Sequence, residues 1–332
     1  MSFIRALSTY LPPNELSNEM LQSSLTDYDV EKISKSVGVK VRHIADSQTT
    51  AGDLAVEAAK KAFAEYGVSP EEIDFVIFAT QSPDHFLPST ACIIQSRLGI
   101  PTSAGAFDFD LGCSGYVYGL GIANSFIESG FAQNVLLLTA DTITKLMHPK
   151  DPNRILFGEA ASATIVSNRG FAKIGRVSKG SDGNGAQHLI VKNRAARSFN
   201  LTGIETLDSE GNLRRDDFFY MDGFAIFSFT VDRVPLLVAD VLKLNALEQN
   251  EIDYFVFHQA NKHMLNTIRK LLGVEKDKYY VNIENTGNTT SSTVPLALKD
   301  CLEKNMFKQG ERVMLAGFGV GLSWAGTVLF FE

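Results

Sequence analysis

EEIDFVIFATQ at residues 71–81 and NEIDYFVFHQA at residues 250–260 share a pattern that decides how this chain folds. In both stretches an acidic segment leads into a run of apolar residues of the length of a buried strand. Each is preceded by a segment with apolar residues near helical spacing, LAVEAAKKAFAEYG from Leu54 and RVPLLVADVLKL from Arg233. The repeated order of helix and strand predicts an α/β fold built from two related units.

The similarity continues downstream of both stretches. AFDFD at residues 106–110 corresponds to YVNIE at residues 280–284, and each predicted strand leads into a glycine turn and a helix-like run. NVLLLTAD from Asn134 then corresponds to ERVMLAGF from Glu311. A chance likeness between ordinary strands is the alternative explanation of these matches.

The length of the chain agrees with a duplication. Single hydrophobic cores stop growing at about 250 to 300 residues, and this chain has 332. We predict a first half at residues 1–170, which carries a candidate nucleophile, and a second half at residues 171–332. A net charge of −7 argues against a nucleic-acid-binding surface, which needs a clustered excess of basic residues.

Neither end of the sequence indicates a membrane segment. Residues 1–15 contain no apolar run typical of a signal peptide, so we expect a cytoplasmic protein. Residues 313–331 are nearly long enough to span a bilayer. Glycines at 317, 319, 321 and 326 instead favour two buried strands around a turn.

The three cysteines, Cys92, Cys113 and Cys301, predict thiol chemistry rather than a disulfide framework. Cys92 and Cys301 are interpreted as packing residues, as most buried cysteines are. The sequence contains neither CxxC nor HExxH spacing, and we expect no metal.

Cys113 is the candidate nucleophile because it follows Gly112 at the predicted start of a helix. Unpaired amides and the positive end of the helix dipole at such a position predict a lowered pKa for the thiol. A small buried packing residue is the alternative interpretation.

His258 and Asn288 fall at the ends of predicted strands in the second half, where sites of α/β proteins form. A hydrogen-bonded core histidine and a turn or cap asparagine are the alternative roles. Backbone amides of the GFGVG segment at residues 317–321 could form half of an oxyanion hole.

Five motifs, in this order, together resemble the thiolase-fold condensing enzymes, specifically the ketoacyl-acyl-carrier-protein synthase III family. They are LGCSGY from Leu111, FGEAASA from Phe157, HQAN from His258, TGNT from Thr286 and GFGVGLSWAG from Gly317. The resemblance covers essentially the whole chain. It implies a thiolase-like fold of two duplicated halves in five α-β-α-β-α layers, and a homodimer.

The resemblance also implies a reaction, the decarboxylative condensation of a Cys113-bound acyl group with a malonyl thioester on an acyl-carrier protein. The product would be a β-ketoacyl thioester of fatty-acid or polyketide-type biosynthesis. The backbone N–H groups of Cys113 and Val320 would form the oxyanion hole, and His258 and Asn288 would hold the enolate oxygen. Phe318 would shield the site, and no cofactor is implied beyond the acyl-CoA or acyl-carrier substrates.

The residues expected to bind coenzyme A depart from the family pattern. Lys32 and Ser36 stand where a Trp and an Arg usually clamp the adenine. Near the FGE motif, Arg154 is a candidate phosphate ligand, but the ungapped position is Asp151.

The substrate tunnel shows further departures. Phe224 follows Gly223 where the family has Asn, and the Arg expected two residues after Asn261 is His263. Leu87 replaces a Phe that commonly reaches the acyl pocket across the dimer, which implies a roomier pocket. These differences predict an acyl donor other than acetyl-coenzyme A.

Three alternative functions stay open. A cysteine acyltransferase of the same fold would pass the acyl group to a hydroxyl or amine without decarboxylation. Papain-like proteases share the Cys, His, Asn order but not the flanking CGSCW signature, and a non-catalytic subunit would be expected to lack the nucleophile. For a condensing enzyme, an acidic carrier protein could dock on Lys262, Arg269 and Lys270, which a solvated helix face explains equally well.

Overall fold

The computed structural model describes residues 1–207 and 213–332. Its strands are β1 Phe3–Tyr10, β2 Asn14–Ser17, β3 Val41–Ile44, β4 Phe75–Ala79, β5 Gly105–Phe109, β6 Asn134–Asp141, β7 Ala160–Ser167, β8 Ala172–Ile174, β9 Ser178–Ser181, β10 Leu189–Val191, β11 Glu205–Leu207, β12 Leu213–Arg215, β13 Phe219–Met221, β14 Tyr254–Phe257, β15 Arg312–Gly319 and β16 Ser323–Phe331. Its α-helices are α1 Asn18–Ser24, α2 Val30–Val37, α3 Ala51–Tyr66, α4 Thr90–Arg97, α5 Gly115–Ser129, α6 Gly223–Asn245, α7 Lys262–Leu271 and α8 Thr293–Glu303.

The main sheet repeats one strand order on its two sides. Its order is β14-β15-β16-β8-β1-β7-β6-β4-β5, with β9 added beside β16. In one half β4 runs parallel to β6, which is antiparallel to β7, and β7 is antiparallel to β1. In the other half β14, β15, β16 and β8 follow with the same directions. This repetition confirms the predicted duplicated α/β fold.

The two halves meet where β1 pairs with β8, through Phe3 opposite Lys173 and Ile4 opposite Ala172. β7 ends at Ser167 and β8 begins at Ala172, so the predicted division between residues 170 and 171 lies in their connection. The division of the chain into two domains at this point stays a prediction.

Helices and sheet halves alternate in five layers. α3 and α4 pack on one face of the first half, and their apolar side chains form one core with β4, β6 and β7. α6 and α7 cover the second half in the same way. Between the halves lie α5 and α8, which contact strands of both halves and form one shared core. Catalytic candidates at the start of α5 and before α8 therefore lie in the middle of the molecule.

Close packing of α5 explains its small residues. A side-chain carbon on Gly119 would collide with Leu137 of β6, and one on Gly121 would lie 3.3 Å from Val177. Ahead of β4, Ser69 and Glu72 form reciprocal hydrogen bonds around a short 3-10 turn.

The predicted strand at residues 280–284 is wrong. Tyr279 bridges Phe255 of β14, the Tyr280 N–H donates to the Phe255 carbonyl at 3.0 Å, and the chain then leaves the sheet. Its backbone groups find other partners, because the Asn282 N–H donates to the Gln259 side chain and the Glu284 carbonyl accepts from Lys40. The correspondence with residues 106–110 indicated a strand there, but these contacts take the place of sheet pairing.

Residues 313–331 form the two predicted buried strands, β15 and β16, joined by a turn at residues 320–322. Within the part of the chain that the structure describes, each helix is either too short or too polar to cross a bilayer.

Candidate active site

Cys113 lies between β5 and α5, at the base of the central helix. The Gly112 carbonyl accepts a hydrogen bond of 2.7 Å from the Gly115 N–H, which closes a tight turn around the buried cysteine. The end of β15 approaches from the other half: a side-chain carbon on Gly319 would lie 2.9 Å from Cys113 Sγ. The thiol therefore sits at the contact between the halves.

The Cys113 thiol is neutral in this resting arrangement. The backbone N–H groups of Cys113 and Val320 lie near the sulfur and favour its charged form. Burial, together with the nearby Asp141 charge, nevertheless raises the pKa of the thiol to about 12. The lowered pKa expected at a helix start is therefore wrong, because desolvation of the thiolate outweighs the two amide hydrogen bonds.

His258 directly follows β14 and is buried. Its backbone N–H donates to the Ala316 carbonyl of β15 at 2.7 Å, which fixes the residue beside the strand that touches Cys113. Its Nδ1 lies 2.6 Å from Thr293 Oγ1. Burial lowers the pKa of His258 to about 3, so its imidazole is neutral near pH 7.

Asn288 is also buried, in the turn before α8. Its Oδ1 accepts a 3.0 Å hydrogen bond from the Thr290 N–H, so the side chain holds the turn, as one alternative interpretation proposed. That bond orients the amide so that Nδ2 lies on the side of Ala260, whose carbonyl it reaches at 3.4 Å. The turn role and a donor role for Nδ2 are therefore compatible.

Phe318 links the two strand ends. Its ring is buried and lies edge-on to the His258 imidazole, with ring centroids 5.6 Å apart. Because its neighbour Gly319 touches Cys113, one short stretch of β15 contacts both chemical groups. The duplicated fold thus brings Cys113 and His258 to the same end of β15, and the Asn288 side chain to Ala260, two residues after His258.

Asp141, at the end of β6, is a buried carboxylate that the sequence analysis missed. It accepts hydrogen bonds from Ser291 Oγ and Gln81 N, both at 2.6 Å, and from Thr290 Oγ1. Burial raises the pKa of Asp141 to about 6. The hydroxyl run TTSST at residues 289–293 was the available signal, because so many hydroxyl groups at a buried helix start need acceptors.

A cavity of about 770 Å³ reaches Val320, whose N–H lies near the Cys113 sulfur, although Cys113, His258 and Asn288 do not line it. Val320 and Gln81 form its inner end, together with Asp110, which directly follows β5. A side-chain carbon on Gly112 would collide with the Gln81 amide, so Gln81 lies next to the Cys113 turn. The more distant walls carry apolar side chains from Leu146, Leu189, Val191 and Phe219.

Of the substrate-binding candidates, Leu87 and Phe224 are the most exposed, at 82% and 73%. Gly223 is the first residue of α6, and Asn261 caps α7 by accepting from the Met264 N–H at 2.8 Å. Arg154 donates to the Thr144 carbonyl at 3.3 Å.

At the positions that depart from the family's coenzyme A-binding pattern, the side chains of this chain make other contacts or face solvent. Lys32 and Ser36 are exposed on α2. Asp151 turns inward and accepts from the Asn153 N–H at 2.8 Å, and burial raises its pKa. The His263 ring stacks on Phe227, with centroids 5.6 Å apart.

Some expectations about surface residues need correction. Arg269 is half-buried and donates to the Val274 carbonyl at 2.8 Å, whereas Lys262 and Lys270 are exposed on α7. Cys301 is buried as expected, but Cys92 is exposed on α4 because it faces away from the core of that layer.

Comparison with known proteins identifies the family. Residues 107–183 match the model for 3-oxoacyl-[acyl-carrier-protein (ACP)] synthase III, and residues 242–331 match the model for its C terminal part. The chain is 40% identical over 329 residues to a beta-ketoacyl-[acyl-carrier-protein] synthase III of Clostridium tetani (strain Massachusetts / E88), covering 98% of both. A synthase of the same name from Neisseria meningitidis serogroup A is 33% identical over 98% of both chains.

Solved structures agree with this assignment. A crystal structure of a 3-oxoacyl-(acyl-carrier-protein) synthase III matches with a TM-score of 0.95 and 44% identity over 99% of both chains. The priming beta-ketosynthase from the R1128 polyketide biosynthetic pathway matches with a TM-score of 0.88 and 29% identity, over 100% of this chain and 97% of that one. The chain therefore belongs to the 3-oxoacyl-[acyl-carrier-protein] synthase III family.

Proposed function

We propose that this protein is a condensing enzyme of β-ketoacyl-[acyl-carrier-protein] synthase III type. It joins a Cys113-bound acyl group to a malonyl group on an acyl-carrier protein and releases a β-ketoacyl thioester. The observation that carries the proposal is that the end of β15 contacts both the Cys113 thiol and the His258 ring, while Asn288 Nδ2 reaches the carbonyl of Ala260, two residues after His258.

In the first step Cys113 takes the acyl group from a thioester donor. Its sulfur attacks the thioester carbonyl, the bond to the donor sulfur breaks, and the thiol proton leaves with the donor as a free thiol. The N–H groups of Cys113 and Val320, which already face the sulfur, would hold the carbonyl oxygen as it gains charge.

In the second step the malonyl thioester loses carbon dioxide. The electron pair of the broken carbon–carbon bond stays on the remaining fragment, which becomes an enolate. Side-chain N–H groups of His258 and Asn288 would stabilise the enolate oxygen, and a neutral imidazole suits this role because it donates without needing a charge. The enolate carbon then attacks the acyl carbonyl on Cys113. The Cys113 sulfur leaves as a thiolate, which takes up a proton to restore the resting thiol. Phe318 would keep water from this buried site.

This scheme needs no electron sink beyond the protein. The negative charge that develops in each step falls on an oxygen within reach of N–H donors. We therefore propose that the enzyme uses no metal and no cofactor, and that acyl-CoA or acyl-carrier thioesters are substrates only.

We further propose that the acyl donor is not acetyl-coenzyme A, and that a carrier protein delivers the acyl group. Asp151 places a carboxyl where a phosphate-binding Arg is expected, and Lys32 and Ser36 lack the planar groups of an adenine clamp. The cavity of about 770 Å³ that reaches Val320 and Asp110 would give room for an acyl group larger than acetyl. Exposed Lys262 and Lys270 would attract an acidic carrier.

We propose that the enzyme acts as a homodimer in the cytoplasm, where its free thiol stays reduced. β5 ends the main sheet of the described chain, and exposed Phe86 and Leu87 lie on the loop between β4 and α4. The Phe86 ring contacts that of Phe199, which is also exposed, at 5.7 Å. A second copy of the chain would cover these apolar side chains.

Intact-protein mass spectrometry with product analysis tests the function. The protein is incubated with acetyl-CoA, longer acyl-CoA and acyl-carrier donors, then with malonyl-carrier protein. We expect a mass increase that Cys113→Ala abolishes, carbon dioxide release and a β-ketoacyl product. Acyl transfer without carbon dioxide release would indicate the acyltransferase instead, and a clear preference for acetyl-CoA would contradict the donor proposal.

A further inference from the structure

The His258 imidazole can donate to an enolate oxygen only if its Nε2 carries the proton. The ring is neutral near pH 7, so one ring nitrogen is a donor and the other an acceptor. Its Nδ1 is paired with a hydroxyl, Thr293 Oγ1, at 2.6 Å. The direction of that hydrogen bond decides whether the proton of the ring is carried by Nδ1 or by Nε2.

The Thr293 hydroxyl has one proton and two acceptors within reach. The first is His258 Nδ1, and the second is the Thr290 carbonyl at 3.0 Å. That carbonyl already accepts the backbone N–H of Thr293 in the 3-10 turn. Donation to Nδ1 is therefore favoured, because it forms the shorter hydrogen bond and leaves no backbone acceptor without a partner.

We propose that Thr293 is a positioning residue that fixes His258 with its proton on Nε2, and this inference rests on the proposed function. The hydroxyl donates to Nδ1, Nδ1 accepts, and Nε2–H becomes the donor that the second step requires. The first step does not require this donor, because backbone amides of Cys113 and Val320 serve its oxyanion hole.

The segment that carries Thr293 is held firmly enough for this role. Thr290 has a backbone φ of +51°, and its hydroxyl donates to the buried Asp141 carboxylate. Its N–H donates to Asn288 Oδ1, so the same turn orients the other proposed donor. One anchored turn thus sets the direction of both side-chain N–H groups.

Thr293→Val removes the hydroxyl at nearly constant volume, and Thr293→Ser restores it as the matched control. We expect the valine variant to acylate Cys113 at the wild-type rate but to lose about 100-fold in malonyl decarboxylation and condensation, the scale of losing one oxyanion donor. The serine variant should recover most of the rate. Equal losses in acylation and condensation, or no loss in condensation, would overturn the proposal.

Nitrogen-15 NMR of the histidines gives a second readout that does not depend on turnover. His258→Gln identifies the His258 signals, which should show protonated Nε2 in the wild type and the serine variant, and a changed tautomer population in the valine variant. A wild-type His258 protonated on Nδ1 would overturn the inference about Thr293, but it would not contradict the proposed condensation reaction. Acylation of wild-type Cys113 without carbon dioxide release would instead count against the proposed function alone.

Discussion

Opposing effects act on the Cys113 sulfur. The N–H groups of Cys113 and Val320 favour a thiolate, whereas burial and the charge of Asp141 disfavour it, and the pKa of about 12 shows that the second pair prevails. A neutral resting thiol resists oxidation and alkylation, because the thiolate is the reactive form. The same amides would stabilise negative charge in the reaction once an acyl oxygen replaces the sulfur as their acceptor.

This resting state predicts how alkylation of Cys113 depends on pH. Below its pKa the thiolate fraction rises tenfold per pH unit, so the rate with iodoacetamide should rise about 100-fold from pH 7 to pH 9. The measurement uses Cys92→Ser, because Cys92 is exposed and would react in parallel. Cys92→Ser with Cys113→Ala corrects for Cys301, and a plateau near pH 7 would instead support the lowered pKa first expected at the helix start.

At the scale of elements, the end of β15 positions Cys113 and His258 relative to each other. Phe318 lies against the His258 ring and Gly319 against the Cys113 thiol, so two successive residues of one strand contact groups from both halves. Side chains of successive strand residues point to opposite faces, and the missing side chain of Gly319 makes room for the sulfur.

Gly319→Ala tests this arrangement. The added carbon would lie 2.9 Å from both Cβ and Sγ of Cys113, closer than such atoms can approach, so the thiol must move from its two amides. We expect the rate of Cys113 acylation to fall at least tenfold with the circular dichroism spectrum unchanged. Gly183→Ala is the control, since an added carbon there meets nothing within 4 Å. Equal acylation rates in the two variants would contradict this role of Gly319.

The sequence predicted the repeated elements of the fold more accurately than it predicted the environment of the site. β4 and β14 appeared as one pattern at two places, and His258 and Asn288 fell at the ends of predicted strands or in the turn that follows. The strand at residues 280–284 was predicted wrongly because a likeness to residues 106–110 cannot show that Gln259 and Lys40 take over the backbone hydrogen bonds. The pKa of Cys113 depends on burial by residues distant in sequence, and so does the role of Asp141. No local motif around Cys113 shows its pKa, and the hydroxyl run at residues 289–293 indicates only that buried acceptors are needed, not that Asp141 is one of them.

At the scale of the whole molecule, the proposed dimer accounts for an exposed apolar loop. Leu87 is 82% exposed and its neighbour Phe86 is 72% exposed, near the sheet edge formed by β5. An edge strand and apolar loops left open to water favour association with another chain.

Leu87→Asp should shift the protein toward monomer, because a carboxylate would be buried without a partner in the interface. Leu236→Asp is a matched control, since Leu236 is 55% exposed on the remote helix α6. Light scattering measures the mass of each variant. A monomeric wild type, or a Leu87→Asp variant of wild-type mass, would contradict the proposed homodimer.

The middle layer has a consequence for protein engineering and for descent from a duplicated gene. α5 and α8 form one core with strands of both halves, so the inner faces of the two sheet halves share a single interior, in addition to the separate outer core of each half. Because both halves pack on this layer, a substitution in one half must fit side chains of the other half. The two halves therefore cannot be exchanged independently of each other. Chimeras with a relative should therefore exchange α5 and α8 as a unit, with the crossovers placed in the outer helical layers.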